Sequence, residues 1–196
     1  MSTVHSRIVL FTLAIGLLIS LPLLGHVARD PDFYGFKTDL PVPPLPGYET
    51  DEGELRLVFF GYRHCGTVCP LQLGNLQALH ERLADKPVRF VFVTLDPQRD
   101  SKQTLDRMMA AMGGNFQAVR PPTMAAAQTL AMGYSEYAGK TGSGDNYDFD
   151  HSARIYVVTP DDRRQLLYAS PELDLDRVQS DINTLLAQTG RKDASD

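Results

Sequence analysis

The stretch FFGYRHCGTVCP, residues 59–70, contains the only two cysteines of this 196-residue chain. An apolar run ends at Gly61, and Pro70 suits the first turn of a helix because it lacks a backbone N–H. We therefore expect Cys65 on a loop that follows a strand and Cys69 at the start of a helix. Unpaired N–H groups and the helix dipole lower thiol pKa values at such a junction, which favours redox exchange or binding of a soft metal.

A structural disulfide between Cys65 and Cys69 is the alternative interpretation. Such a bond closes a very small loop, and the stability gained from loop closure falls as the loop becomes shorter. Four residues of helix rise about 6 Å, which is at the wide end of the Cα separations that a disulfide tolerates. The spacing therefore favours a labile, redox-active pair over a structural bridge.

The composition argues against a nucleic-acid partner and predicts an N-terminal membrane segment. The net charge is −5, and the chain has no run of lysine and arginine. Residues 8–24 carry no charge, and as a helix they would extend about 25 Å, near the lower limit for spanning a bilayer. A cleaved signal peptide is the alternative, but cleavage after Ala28 would place His26 where a small residue is preferred. Either segment directs the rest of the chain out of the cytoplasm.

After the predicted membrane segment, the chain divides into a proline-rich linker, a folded domain and a polar tail. We predict residues 1–28 as the membrane anchor or signal segment, 29–54 as the linker, 55–190 as the domain and 191–196 as the tail. Predicted strands and helices alternate within the domain and end with a hairpin and a helix: strands 55–60, 88–95, 154–158 and 165–169, and helices 70–83, 101–112, 123–130 and 175–189. This order predicts an α/β fold with a thioredoxin-like mixed sheet and flanking helices.

His151 is the third candidate ligand. It directly precedes the strand predicted at 154–158, and in a thioredoxin-like sheet the loop before that strand faces the cysteine loop. Two thiolates and one imidazole form a soft three-coordinate site that suits Cu(I) and accepts Cu(II) with one further ligand. Zinc prefers a fourth protein ligand, which the sequence does not offer. An ordinary hydrogen-bonded loop histidine is the alternative.

Other polar residues have less specific patterns. Asp96 follows the second strand, where it either orients a ligand through a hydrogen bond or forms a turn with Pro97. His64 adjoins Cys65, but neighbouring side chains at a strand end point in opposite directions. His80 is expected on the solvated face of its helix.

Two further patterns are interpreted without a metal. Met108, Met109 and Met112 have helical spacing, which indicates core packing. The acidic segment 145–150 lacks the glycine and the distal glutamate of a calcium loop, and we therefore predict a solvated acidic loop.

Three motifs in order resemble the SCO/SenC family of membrane-anchored copper chaperones: FFGYRHCGTVCP, VTLDPQRD (93–100) and DFDHSARIYVVTPD (148–161). The resemblance extends from about residue 55 to 169. It implies a domain in the periplasm or the mitochondrial intermembrane space, with one copper ion held by Cys65, Cys69 and His151. Asp96 and Asp150 match acidic positions that flank the family's site. The region before the first motif is shorter and richer in proline than in the family, and Gly66 stands where the family often has proline.

The resemblance implies capture of copper and its delivery to the copper-centre subunit of cytochrome c oxidase, or to another acceptor, during assembly of the dinuclear copper centre. The alternative is an enzyme, a thiol–disulfide oxidoreductase that reduces partner cysteines outside the cytoplasm. An oxidoreductase needs both cysteines and tolerates the loss of His151, whereas a chaperone needs all three residues. The sequence does not separate a copper or redox sensor from a chaperone.

Overall fold

A computed structural model describes residues 32–51, 53–144 and 146–193. The compact unit that carries the elements below begins at Tyr34. The described residues form eight strands: β1 (Phe36–Pro41), β2 (Leu55–Gly61), β3 (Val88–Thr94), β4 (Phe116–Val119), β5 (Ala138–Ser143), β6 (Asn146–His151), β7 (Ile155–Val158) and β8 (Arg163–Tyr168). They also form four helices: α1 (Val68–Arg82), α2 (Lys102–Met112), α3 (Met124–Gly133) and α4 (Leu175–Asp193).

The main sheet has six strands in the order β1-β8-β7-β2-β3-β4. The central strand β2 is parallel to β3 and antiparallel to β7, while β3 and β4 are parallel. All seven residues of β2 are buried, as expected for a strand covered on both faces. The predicted α/β fold with a mixed sheet and flanking helices is confirmed.

Side chains that alternate along β2 supply a core on each face of the sheet. Val58 and Phe60 pack with Leu130 and Ala131 of α3. Phe59, between them in sequence, points to the other face. The carboxyl end of β2 lies at the edge of the sheet, where the cysteine loop begins. Packed side chains cover both faces of the sheet next to this loop.

Part of the segment predicted as a linker, residues 29–54, contributes a strand and core side chains to the folded domain. Strand β1 pairs antiparallel with β8 at the edge of the main sheet, and Thr38 Oγ1 donates to Arg164 O at 2.7 Å. Val42 and Leu45 then pack into the core. The strand has no apolar run because its side chains are mostly exposed, and its conformation depends on backbone pairing with a distant strand.

The predicted solvated loop at 145–150 is wrong, since residues 146–151 form strand β6, which pairs antiparallel with β5. Gly142 and Gly144 have positive φ angles of 88° and 59°, which glycine adopts without strain. Asp145 lies outside the described residues. The polar composition of β6 led to the prediction of a loop. Only alternate residues of this strand face the domain, so the strand has no continuous apolar run.

Smaller differences concern short or irregular elements. The four-residue strand β4 was not predicted, and α4 continues past Gly190 to Asp193 instead of ending before it. His80 does not have the expected solvated position, since its ring packs edge-on against Phe90 and Phe116. Met109 is buried, as expected for core packing.

The predicted membrane segment at residues 1–28 lies outside the described residues. Within the part of the chain that the structure describes, no helix combines the length and the apolar character needed to cross a bilayer.

Candidate metal centre

The two cysteines lie at a strand-to-helix junction, Cys65 on the connecting loop and Cys69 in the helix. Strand β2 ends at Gly61, and the loop then turns so that the Cys65 N–H donates to Tyr62 O at 3.2 Å. Cys69 and Pro70 belong to the first turn of α1, as predicted, and Thr67 before the helix makes no side-chain cap hydrogen bond. Both thiols are buried, with 7% of Cys65 and 2% of Cys69 exposed, and no disulfide joins them.

His151 meets both sulfurs, although it is 82 residues beyond Cys69. Its Nε2 atom lies 3.7 Å from Cys65 Sγ and 3.5 Å from Cys69 Sγ. The three ligand atoms all lie within 4.8 Å of one another. The structure therefore brings together the three residues that the sequence singled out.

The orientation of the His151 ring leaves Nε2 for the sulfurs. Its Nδ1 atom lies 2.9 Å from Ser152 O, and a carbonyl only accepts, so Nδ1 carries a proton. A carbonyl bound to one ring nitrogen is the usual way in which a metal-binding imidazole is oriented, and here it leaves Nε2 facing the sulfurs.

The two thiols differ in acidity. Burial opposes ionisation of Cys65, but hydrogen bonds from His151 and Cys69, together with the backbone of Thr67 and Cys69, outweigh it and lower the pKa to about 6. Burial raises the pKa of Cys69 strongly, and the neighbouring Cys65 raises it further. Cys65 is therefore the more acidic of the two thiols.

The segment that follows His151 is held by residues that the sequence analysis missed. Glu136, 2% exposed, accepts the Ser152 N–H at 2.7 Å and the Tyr156 hydroxyl at 2.7 Å. Gln72 of α1 donates to the carbonyl of Ala153. Because Gln72 lies one turn beyond Cys69, the same helix positions a sulfur and the chain next to the imidazole.

The segment that precedes His151 packs on Tyr62. The Tyr62 ring lies 5.2 Å from Phe149 and 5.6 Å from His151, centroid to centroid, and its hydroxyl donates to Asp148. This hydrogen bond lowers the pKa of Asp148. The inward set Tyr147, Phe149 and His151 has the period of a strand. That alternation was the signal in the sequence that could have found these neighbours.

The other predicted site residues do not touch the three ligand atoms. Asp96 is fully buried, but its carboxylate binds Arg99 and the hydroxyl of Tyr147. Asp150 is exposed and pairs with Gly139 across the hairpin. His64 is exposed, as its position beside Cys65 predicted.

A family model described as SCO1/SenC matches residues 48–187, which include all three ligand residues and the hairpin. The chain belongs to the SCO1/SenC family. The human relative named Protein SCO2 homolog, mitochondrial, is 31% identical over 115 residues, which are 56% of this chain and 43% of the human protein. The chain thus spans less than half the length of that SCO relative.

Solved structures of SCO proteins share the fold. The apo Sco1 protein from Thermus thermophilus is 29% identical with a TM-score of 0.65, over 78% of this chain and 96% of that one. ScoI from Bradyrhizobium japonicum, solved with copper bound, is 26% identical with a TM-score of 0.55, over 68% and 85% of the two chains. The predicted copper cofactor therefore agrees with a solved SCO relative that holds copper.

A glycine allows the close approach of Cys69 to the sheet. A Cβ atom on Gly61 would lie 2.9 Å from Cys69 Sγ and 3.0 Å from the Phe92 ring. We expect Gly61→Ala to lower the free energy of unfolding by about 1–3 kcal/mol, because a packed ring or the sulfur must move. Gly66→Ala is the matched control, since nothing lies within 4 Å of its added methyl group. Urea denaturation measures both, and equal stability of the two variants would contradict the packing argument.

Alkylation of Cys65 should report its low pKa. The rate of reaction with iodoacetamide in the reduced, metal-free protein is expected to rise through pH 6 and level off above pH 7, as the pKa of about 6 requires. An ordinary thiol would continue to gain reactivity up to about pH 9. Because the pKa falls on folding, the stabilising contribution of this thiol is present above its unfolded value and disappears as the pH falls through 6. Mass spectrometry of the cysteine peptide gives the profile, and a midpoint near 8.5 would contradict it.

Proposed function

We propose that this protein captures one copper ion with Cys65, Cys69 and His151 and delivers it to an acceptor protein. The observation that carries the proposal is the convergence of two sulfurs and one imidazole nitrogen within 4.8 Å. Soft thiolates with an imidazole suit Cu(I). Among the described residues these three form the one such group, so a closed four-ligand zinc site has no fourth protein ligand here.

The spacing of the ligand atoms fits a three-coordinate ion. Bonds to nitrogen of about 2.0 Å and to sulfur of about 2.3 Å are usual for a borderline-soft metal. With these lengths, a trigonal ion separates the nitrogen from each sulfur by about 3.7 Å. The distances of 3.7 and 3.5 Å require only a small adjustment. Copper loading thus needs reduced cysteines and the loss of the remaining protons, but no rearrangement of the fold.

The proposed acceptor is the copper-centre subunit of cytochrome c oxidase, and the proposed location is outside the cytoplasm with an N-terminal membrane anchor. Membership of the SCO1/SenC family supports the first point. The uncharged run at residues 8–24 and the mitochondrial name of the human relative support the second. Delivery also requires access to the ion, and His151 is the ligand residue that is only half-buried.

A copper titration of the full, reduced chain tests this function. Cu(I) is added without oxygen in competition with a chromophoric Cu(I) chelator, and uptake of one ion per chain is expected. The apo acceptor subunit is then added, and transfer is followed by the absorption of its copper centre. A protein that leaves all Cu(I) with the chelator would overturn the proposal, and one that binds copper but never loads the acceptor would overturn the delivery step alone.

The second candidate function is thiol–disulfide exchange outside the cytoplasm, and the unequal acidity of the two thiols favours it. A thiolate at Cys65, with a pKa of about 6, beside a protonated Cys69 resembles an attacking and a resolving cysteine. His151→Ala separates the functions, because it should remove tight copper binding, whereas the reduction of a model disulfide should continue at a pH high enough to ionise Cys65 without the imidazole. Loss of both activities to a similar extent would show that exchange also depends on the imidazole.

A further inference from the structure

The hairpin that carries His151 is nearly separate from the main sheet. Strands β5 and β6 form a sheet of two strands, and β5 is largely exposed. An isolated two-stranded hairpin is at best marginally stable in water. The position of His151, the last residue of β6, therefore depends on side chains that fasten this hairpin to the domain.

Besides the Tyr62–Asp148 hydrogen bond, Tyr147 makes the polar contacts that attach strand β6 to the loop after β3. Its hydroxyl donates to Asp96 Oδ1 at 2.8 Å, and its carbonyl accepts from Arg99 Nη1 at 3.0 Å. The Arg99 guanidinium also lies 3.8 Å from the centre of the Tyr147 ring, and Lys140 Nζ lies 3.7 Å from it. Cation–π contacts of this kind add attraction to the hydrogen bonds. Tyr147 of β6 is thus held at its hydroxyl, its ring and its backbone carbonyl.

The loop that holds Tyr147 is itself fixed. Asp96 and Asp100 are fully buried, and Thr94 binds both, accepting the Asp96 N–H at 3.0 Å and donating to Asp100 Oδ2 at 2.6 Å. Arg120 donates to the carbonyl oxygens of Asp100 and Pro97. Asp96 also pairs with Arg99. The anchor of the hairpin is therefore a rigid turn at the carboxyl end of β3.

We propose that Tyr147 is a positioning residue that keeps His151 at the two sulfurs, an inference that rests on the proposed copper function. The contacts of Tyr147 with Asp96 and Arg99 are called the grip below. Tyr147 and His151 lie on the same face of β6, about 13 Å apart along the strand. The hydrogen bonds and ring contacts described for Tyr147 involve neither cysteine. Loss of these contacts would let the imidazole move away from the two sulfurs and would leave a bound ion with two thiolate ligands.

The first test measures the rate at which a chelator removes Cu(I) from the loaded full chain. Tyr147→Ala is expected to raise this rate about 10- to 100-fold, in line with the loss of metal affinity that usually follows removal of a residue that orients a ligand. Tyr147→Phe, which loses only the hydroxyl, should have a smaller effect. Tyr137→Phe is the matched control, because this nearby tyrosine is 61% exposed and no contact of its hydroxyl involves the grip. Thermal melting shows that each variant is folded.

A double-mutant cycle shows whether the effect passes through the imidazole. In the His151→Ala background, Tyr147→Ala should cause no further acceleration, because the ligand that it positions is already absent. An equal acceleration in both backgrounds, or release at the wild-type rate from Tyr147→Ala, would overturn the proposal.

A second readout does not require copper. The rings of Tyr62 and His151 have centroids 5.6 Å apart, so the metal-free protein should show nuclear Overhauser effects between them. These effects should disappear in Tyr147→Ala and remain in Tyr137→Phe. Their persistence in Tyr147→Ala would overturn the positioning role even if the protein bound no copper. If they disappear in Tyr147→Ala but the wild type binds no copper, the proposed function alone is overturned.

Discussion

Replacing His151 with alanine is expected to weaken Cu(I) binding by at least about 100-fold. Residues that merely orient a metal ligand are commonly worth about 10- to 100-fold in affinity, and His151 would supply a ligand atom itself. The variant retains both thiols, so copper should still bind, but as a weaker two-coordinate species. Competition with a Cu(I) chelator gives the affinity, and X-ray absorption gives the loss of the nitrogen ligand.

His64→Ala is the matched control for this experiment. His64 is adjacent to Cys65 in sequence, yet it is exposed and is not part of the group of three ligand residues. Its removal should leave the affinity unchanged. If the His64 variant lost affinity and the His151 variant did not, the ligand assignment would be wrong.

Replacing either cysteine with serine is expected to abolish the stoichiometric uptake of Cu(I). A hydroxyl is a harder and much less acidic donor than a thiol, and a soft cuprous ion binds it poorly. The two variants should also differ from one another. Cys69 is the more deeply buried and its sulfur lies close to Gly61, so Cys69→Ser should also lower the melting temperature.

Oxidation of the same chain is an internal control for the serine variants. A disulfide between Cys65 and Cys69 removes both thiolates without a change of sequence, and uptake should return after reduction. Copper binding by the oxidised protein at the affinity of the reduced one would show that the sulfurs are not the ligands. Cu(I) binding by the serine variants at the affinity of the reduced wild-type protein would independently contradict the proposed site.

The segment from Leu55 to Pro70 could be predicted because its structure depends on local chemistry. Seven consecutive buried residues form β2, and a proline in the first turn of α1 follows the rule for helix starts. Ser101 and Thr123 accept backbone N–H groups at the starts of α2 and α3, as N-cap residues do. These preferences involve groups no more than four residues apart in the chain, so they can be recognised in a single sequence.

Strand β1 and the hairpin of β5 and β6 could not be predicted in the same way. Neither carries a continuous apolar run, and each forms only because a partner strand satisfies its backbone groups. Likewise Glu136 and Gln72 gave no sign of their role, since their hydrogen bonds reach Ser152 and Ala153 from elsewhere in the fold. Asp96 was predicted either to orient a ligand through a hydrogen bond or to form a turn with Pro97, and in the structure its carboxylate accepts from the Tyr147 hydroxyl.

The residue types alone establish the chemistry available to this protein, because cysteine and histidine are soft ligands whatever their surroundings. The residues next to the cysteines also establish where they lie, at a junction between a strand and a helix. Only folding brings Nε2 of His151 to both sulfurs, makes one thiol more acidic than the other, and supplies the side chains that hold the imidazole. Distances between residues far apart in the chain depend on the packing of the whole domain, and so do burial and hydrogen bonding, which set the pKa of each thiol.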